Sequence, residues 1–138
     1  GHQLRHRLVQ HVQQAQLDVD ILGRGYAPFD RKSEGLAPYR FSVVIENVRE
    51  PNYFSEKLVD AILCETVPIY WGCPNIADFI NTKGMVICDT QDDVQRAIAA
   101  ASLAQYDALV PALLDAKPQA ASFIDLELRA AETLKASL

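Results

Sequence analysis

Glu46 and Asn47 stand directly after the β-branched run Phe41-Ser42-Val43-Val44-Ile45, and Tyr53, Ser55, Glu56 and Lys57 follow it before an apolar stretch opens at Leu58. An acid and an amide thus close a strand, and an acid and a cation open a helix. The amides of a helix N-terminus carry unpaired N–H donors and partial positive charge, which favours an anion such as phosphate there. Lys57 is the odd member, because a cation in the first turn opposes the macrodipole. An anion bound between the two removes the conflict. The competing reading is that Glu46 and Glu56 cap or pair at the surface while Lys57 snorkels over apolar neighbours.

Other groups offer less. Glu46 has the position of a catalytic acid at a strand end, but a structural role bonding loop amides is the better reading. Gly23-Arg24-Gly25 lacks a third glycine, because position 28 is Pro, so it reads as a turn and not as a dinucleotide fingerprint. His2 and His6 lie one helical turn apart with no third ligand spaced to join them, and no metal site is expected. Cys64, Cys73 and Cys88 show no C-x-x-C spacing and sit in apolar stretches, so they read as buried thiols. There is no G-x-S-x-G and no P-loop. Asp18 and Asp20 read as the wet side of a strand, not as a D-x-D that holds a nucleotide sugar through a metal.

The elements that position these groups follow from periodicity. Leu4, Leu8, Val9 and Val12 recur at helical spacing, predicting an amphipathic helix over about residues 3–15. Leu17 to Ile21, Phe41 to Ile45, Val67 to Trp71 and Met85 to Cys88 read as strands, with Pro68 tolerable only near the start of its own. Ser55 is placed to cap a helix with Leu58, Ala61, Ile62 and Leu63 inward, and Thr90 with Asp93 forms a capping box for one carrying Val94, Ala97, Ile98 and Ala101. Pro111 is expected to separate that helix from another, and Ser122 to cap a last one with Phe123, Leu126, Ala130 and Leu134 on its inner face. Strands alternating with helices predict an α/β fold with a parallel sheet covered on both faces. In such sheets ligands bind beyond the carboxyl ends of the strands, so the loops after residues 21, 45 and 71 are the places for a site.

The 138 residues fit one domain, and a hydrophobic share of 49% with 22% charged residues predicts a packed core. A net charge of −5 argues against a protein that grips nucleic acid through its phosphates. Residues 1–70 carry eight Lys/Arg against nine Asp/Glu, while residues 71–138 carry five against nine, so an anionic ligand is expected in the first half. No apolar run approaches the roughly 18 residues of a membrane span. Position 1 is Gly and the only methionine is Met85, so the chain is expected to be a fragment, a processed product or a chain carrying a tag scar.

The run "YRFSVVIEN…NYFSEKLVDAILCETVPIYWGCPNI" resembles the donor-binding signature of the α-1,3/α-1,4-fucosyltransferases, glycosyltransferase family 10. The resemblance extends from about residue 3 to about residue 110, and Ile69-Tyr70-Trp71-Gly72 is more similar to the bacterial branch. It implies a Rossmann-like parallel sheet with helices on both faces, forming the C-terminal half of a GT-B glycosyltransferase. Residues 1–138 would be a single donor-binding domain lacking the N-terminal acceptor domain, which in the family supplies the general base. This chain alone is then expected to be inactive.

By the same resemblance, Lys57 contacts the donor diphosphate and Glu56 bonds hydroxyls of ribose or sugar. Asn47 and Tyr53 line the phosphate and sugar site beside Glu46, and an arginine early in the first helix grips the diphosphate. Arg5 fits that arginine best by its spacing to Leu8, with Arg7 the rival. The implied reaction is inverting transfer of fucose from GDP-fucose, without metal or other cofactor, to a hydroxyl of an N-acetylglucosamine-containing glycan in glycan or lipopolysaccharide biosynthesis. A different nucleotide sugar and a non-catalytic nucleotide-binding module are the alternatives. A bacterial enzyme is expected in the cytoplasm or peripherally at the inner membrane, an animal one in the Golgi.

Overall fold

In the computed structural model residues 1–15 and 39–137 are described, with side chains as far as residue 124. Helix α1 spans His2–Ala15, strand β1 Phe41–Ile45, helix α2 Glu56–Leu63 and strand β2 Val67–Trp71. A 3-10 turn at Ile76–Asp78 leads to strand β3, Val86–Ile87, and helices α3, Gln91–Ala100, and α4, Leu103–Ser137, complete the order. The strand expected at residues 17–21, the turn at Gly23 to Gly25 and the loop expected to follow lie outside the described residues.

Among the described residues the sheet has the order β1-β2-β3, and both pairings are parallel. Phe41 pairs with Val67 and Ile45 with Trp71, so β1 and β2 end level, and α2 is the crossover between them. Four of the five residues of β2 are buried, as befits a strand covered on both faces. Pro68 is compatible with this central place because Val67 N–H donates to Arg40 across the β1 side at 2.7 Å. The next nitrogen therefore faces β3, whose pairing begins only at Ile69 with Val86. No ladder donor is lost.

Side chains alternate between two cores. Val44 and Tyr70 meet Leu58, Ile62, Leu113, Ala116 and Ala120 from α2 and α4, whereas Ile45 and Ile69 meet Leu4, Leu8, Val94 and Ala97 from α1 and α3. The result is a three-layer α/β/α arrangement. Gly84 permits a close approach of α4: a Cβ there would lie 2.3 Å from the backbone nitrogen of Leu113.

Two expectations are corrected. Pro111 does not divide the C-terminal helix, and Pro118 also lies inside α4. Each proline removes the donor to the carbonyl four residues earlier, but Pro111, Pro118, Asp107 and Leu114 are all exposed. Water can serve the freed carbonyls, while Leu113, Ala116 and Ala120 hold the helix to the core from its other side. Ser122 caps nothing; its hydroxyl donates back to the Gln119 carbonyl at 2.6 Å in mid-helix. Thr90 does form the expected capping box with Asp93. Among the described residues no single helix is long and apolar enough to cross a membrane.

Candidate functional site

The carboxyl ends of β1 and β2, the first turn of α1 and the N-terminus of α2 gather at one edge of the sheet. Arg5 reaches from α1 to the end of β1. Its Nε and Nη2 donate to the Ile45 carbonyl at 3.3 and 2.9 Å, and Nη2 also donates to Asn47 Oδ1 at 2.6 Å. A rigid fork so held leaves Nη1, 3.4 Å from His2 Nδ1, as the outward side of the guanidinium. Arg7 turns elsewhere: its Nε donates to Gln91 Oε1 at the start of α3, at 2.8 Å. Of the two rival arginines, Arg5 is the one that meets Asn47.

Ser55 has extended backbone and its hydroxyl accepts from Lys57 N–H at 3.3 Å, so it is the N-cap of α2 as its residue type predicts. Lys57 is half-buried, and among the described residues its ammonium makes no hydrogen bond or ion pair. Glu56 beside it is exposed and equally uncommitted, and Tyr53 is half-buried. A cation held in the first turn of a helix without a carboxylate partner is a group left available to an anion.

Glu46 behaves differently from expectation. It is wholly buried, and neither carboxylate oxygen has a hydrogen-bond partner among the described residues, so it does not bond loop amides through its side chain. Only its backbone is engaged, its N–H donating to the Trp71 carbonyl at 3.0 Å. Beneath it Gly72 must lack a side chain, because a Cβ there would fall 2.4 Å from Glu46 Cγ and 2.8 Å from the Tyr70 hydroxyl. That hydroxyl accepts from Cys73 N–H at 3.1 Å. Burial pushes the Tyr70 phenol well above its usual range, the Cys73 donor opposes the shift, and the Glu46 charge adds to it.

The strand-end loops are tied together. Arg49 pairs with Asp89 at 2.7 Å while Trp71 Nε1 donates to the Asp89 carbonyl at 3.1 Å, joining the end of β2 to the segments after β1 and β3. Asn75 Oδ1 accepts from Asn52 N–H, and Asn75 Nδ2 donates to Asn52 Oδ1, both at 2.8 Å. Behind Glu56 lies a cleft of about 290 Å³ with Asn52, Ser55 and Glu56 on its polar side and Phe54, Phe79 and Phe123 on its apolar side. Phe54 meets Phe123 edge to face with ring centres 4.8 Å apart.

The structure therefore brings together Arg5 and Asn47, keeps Tyr53, Glu56 and Lys57 on one short segment at the same sheet edge, and seals Glu46 inside. Sequence reasoning did not single out Asn52 or Asn75. The positive φ of Asn52, 64°, has a residue-type signal, since asparagine tolerates that region better than most. Among the described residues no group of three or more His, Cys, Asp or Glu is placed to hold a metal ion.

A parallel sheet between helix layers, with polar groups collected beyond its carboxyl edge, defines a Rossmann-like α/β binding unit. The sequence model for the C-terminal region of glycosyltransferase family 10 (fucosyltransferase) matches residues 1–107, and the chain belongs to that family. It is 42% identical over 55 residues to the alpha-(1,3)-fucosyltransferase FucT of Helicobacter pylori, a match covering 40% of this chain and 12% of that protein. It is similar to the crystal structure of an alpha1,3-fucosyltransferase with GDP-fucose at a TM-score of 0.55 and 30% identity, over 64% of this chain and 27% of the other. The corresponding structure with GDP gives a TM-score of 0.54 and 29% identity, over 64% and 27%. The chain thus spans about a quarter of the length of the solved relatives.

Proposed function

We propose that this chain is the donor-binding part of an inverting fucosyltransferase. The observation that carries the reading is Lys57: half-buried, in the first turn of a capped helix, with no counter-charge among the described residues, at the sheet edge where Arg5 and Asn47 also stand. The family match and the solved relatives bearing GDP-fucose and GDP support a guanosine-diphosphate sugar as the anion.

In this reaction an acceptor hydroxyl attacks the anomeric carbon of the donor, the bond from that carbon to the diphosphate oxygen breaks, and GDP departs with the electron pair. The hydroxyl proton passes to a carboxylate outside this chain. Lys57, the Nη1 side of Arg5 and the N–H groups opening α2 stabilise the negative charge on the leaving diphosphate. Glu56 bonds donor hydroxyls, and Asn47 and Tyr53 orient the phosphate and sugar. Glu46, sealed inside against Gly72, shapes the strand end without touching donor. Donor binding uses these side chains and no metal. The acceptor is an N-acetylglucosamine-containing glycan of the kind built into lipopolysaccharide, reached in the cytoplasm or at the inner membrane face.

The test is calorimetric titration of the complete enzyme with GDP-fucose, GDP-mannose, UDP-glucose and GDP. Binding of GDP and GDP-fucose above the others supports the proposal. Preference for another donor reassigns the sugar, and absence of binding to a folded sample refutes the reading.

A further inference from the structure

We propose that Asn75, in the loop after β2, is a positioning residue that fixes the donor loop between β1 and α2. The inference rests on the fucosyltransferase reading above and adds to it a residue to which that reading assigns no contact with donor.

Asn75 is half-buried, and its amide is fully used. Its Oδ1 accepts from Asn52 N–H at 2.8 Å and from the Cys73 thiol at 3.1 Å. Its Nδ2 donates to Asn52 Oδ1 at 2.8 Å and to Asp78 Oδ2 at 3.2 Å. Two lone pairs and two N–H groups are all that an asparagine side chain offers. Aspartate lacks the donors and glutamine is one methylene too long.

Two of those four bonds go to one residue, and that residue is where the loop turns. Asn52 holds a left-handed backbone at φ 64°, and the turn closes through Tyr53 N–H donating to the Glu50 carbonyl at 3.3 Å. The chain leaves this turn straight into Tyr53, the Ser55 cap, Glu56 and Lys57. A rotation at Asn52 would therefore displace the whole donor segment relative to Asn47 and Arg5. Asn52 and Asp78 are exposed, so the clasp lies outside the core, and its worth is the pose of a loop more than global stability. Misplacement of catalytic groups by as little as about 1 Å is costly, which is what a clasp of this kind prevents.

The test uses the complete enzyme and reads donor affinity beside melting temperature. Asn75→Ala is expected to weaken GDP-fucose binding and raise donor KM about tenfold, equivalent to about 1.4 kcal/mol, while acceptor KM stays as in wild type. Val94→Ala, a truncation in the opposite core, is expected to lower the melting temperature at unchanged donor affinity. The pair Asn75→Asp with Asp78→Asn exchanges donor and acceptor across one contact, keeps an acceptor for Asn52 N–H, and allows the Asn52 amide to rotate. It should restore affinity to within about threefold, since the hydrogen-bonding capacity is regained. If wild type binds GDP-fucose and Asn75→Ala binds it within twofold, the positioning role is refuted. If affinity loss instead follows melting temperature across all three variants, the role is structural only and the inference also falls. Failure of wild type to bind any nucleotide sugar would overturn the function reading.

Discussion

Lys57→Ala separates a phosphate-binding lysine from one that snorkels on the surface, because the two roles give opposite signs in two assays. In the unliganded protein Lys57 stands second in α2 with no carboxylate partner among the described residues. Its removal relieves an unfavourable charge-dipole contact worth roughly 0.3–1 kcal/mol, so the variant should melt at the same temperature or slightly higher. With GDP bound the sign reverses. A unit charge about 4 Å from a phosphate oxygen gains about 4 kcal/mol at an effective dielectric constant near 20. A side chain only half withdrawn from water retains about half of that, in line with roughly 1.5–3 kcal/mol for hydrogen bonds to charged groups. A loss of about 2 kcal/mol corresponds to GDP binding weakened about thirtyfold. Guanosine, which carries no phosphate, should bind the variant as it binds wild type, and GMP should fall between. Lys57→Arg keeps the charge and is expected to retain most of the affinity. Calorimetry on the complete enzyme at low and moderate salt reads the melting temperature and each of these affinities. A GDP affinity within twofold of wild type, or an equal loss for guanosine, would refute the assignment of Lys57 to the diphosphate.

Four further outcomes follow from the fold. Leu113 is wholly buried where α4 meets Gly84; Leu113→Ala should cost about 2–5 kcal/mol by denaturant unfolding, and Gly84→Ala should destabilise as well, because its Cβ would enter the α4 backbone. The Asp89 and Thr90 backbone N–H donors and the Thr90 hydroxyl hold the Asp93 carboxyl below its ordinary range. That contribution is present above the unfolded value near 3.9 and is lost as pH falls through the lower folded value. Melting curves taken from pH 6 down to pH 3 should therefore fall less steeply for Asp93→Asn than for wild type. Burial first, then the charges of Asp93 and Asp89, push the Cys88 thiol up to about 11; at pH 8 iodoacetamide should label it far more slowly than unfolded chain, and equal rates in a mass-spectrometric time course would contradict its buried placement.

The parts of the fold legible in the sequence were those whose determinants are local. Phe41 to Ile45 and Val67 to Trp71 are bounded by turn residues and, Ser42 and Pro68 apart, are β-branched or aromatic, so their ends are set by the residues themselves. Ser55 and Thr90 cap their helices because a side-chain oxygen finds an N–H two or three positions on. Pro111 does not make the break expected of it because a helix break is decided by what surrounds the proline. On an exposed stripe the freed carbonyls meet water, while the buried stripe of Leu113, Ala116 and Ala120 keeps the axis on the sheet. Glu46 shows the same limit at the site: a carboxylate at a strand end could face loop or core, and only the closeness of Gly72 and Tyr70 shows that it turns inward.

Asn75 marks the furthest point from local reasoning. Its partner Asn52 lies 23 positions earlier in the chain, and the two meet only because β1 and β2 pair in parallel and end level. Ligand contacts can be written into a short motif, since one loop carries them. The clasp that holds such a loop must come from the neighbouring strand end, and its spacing in sequence is set by the length of the crossover helix between the strands. The segment Tyr53 to Lys57, proposed to hold the donor, is therefore visible as a pattern, whereas the amide proposed to position it becomes visible only once the sheet is assembled.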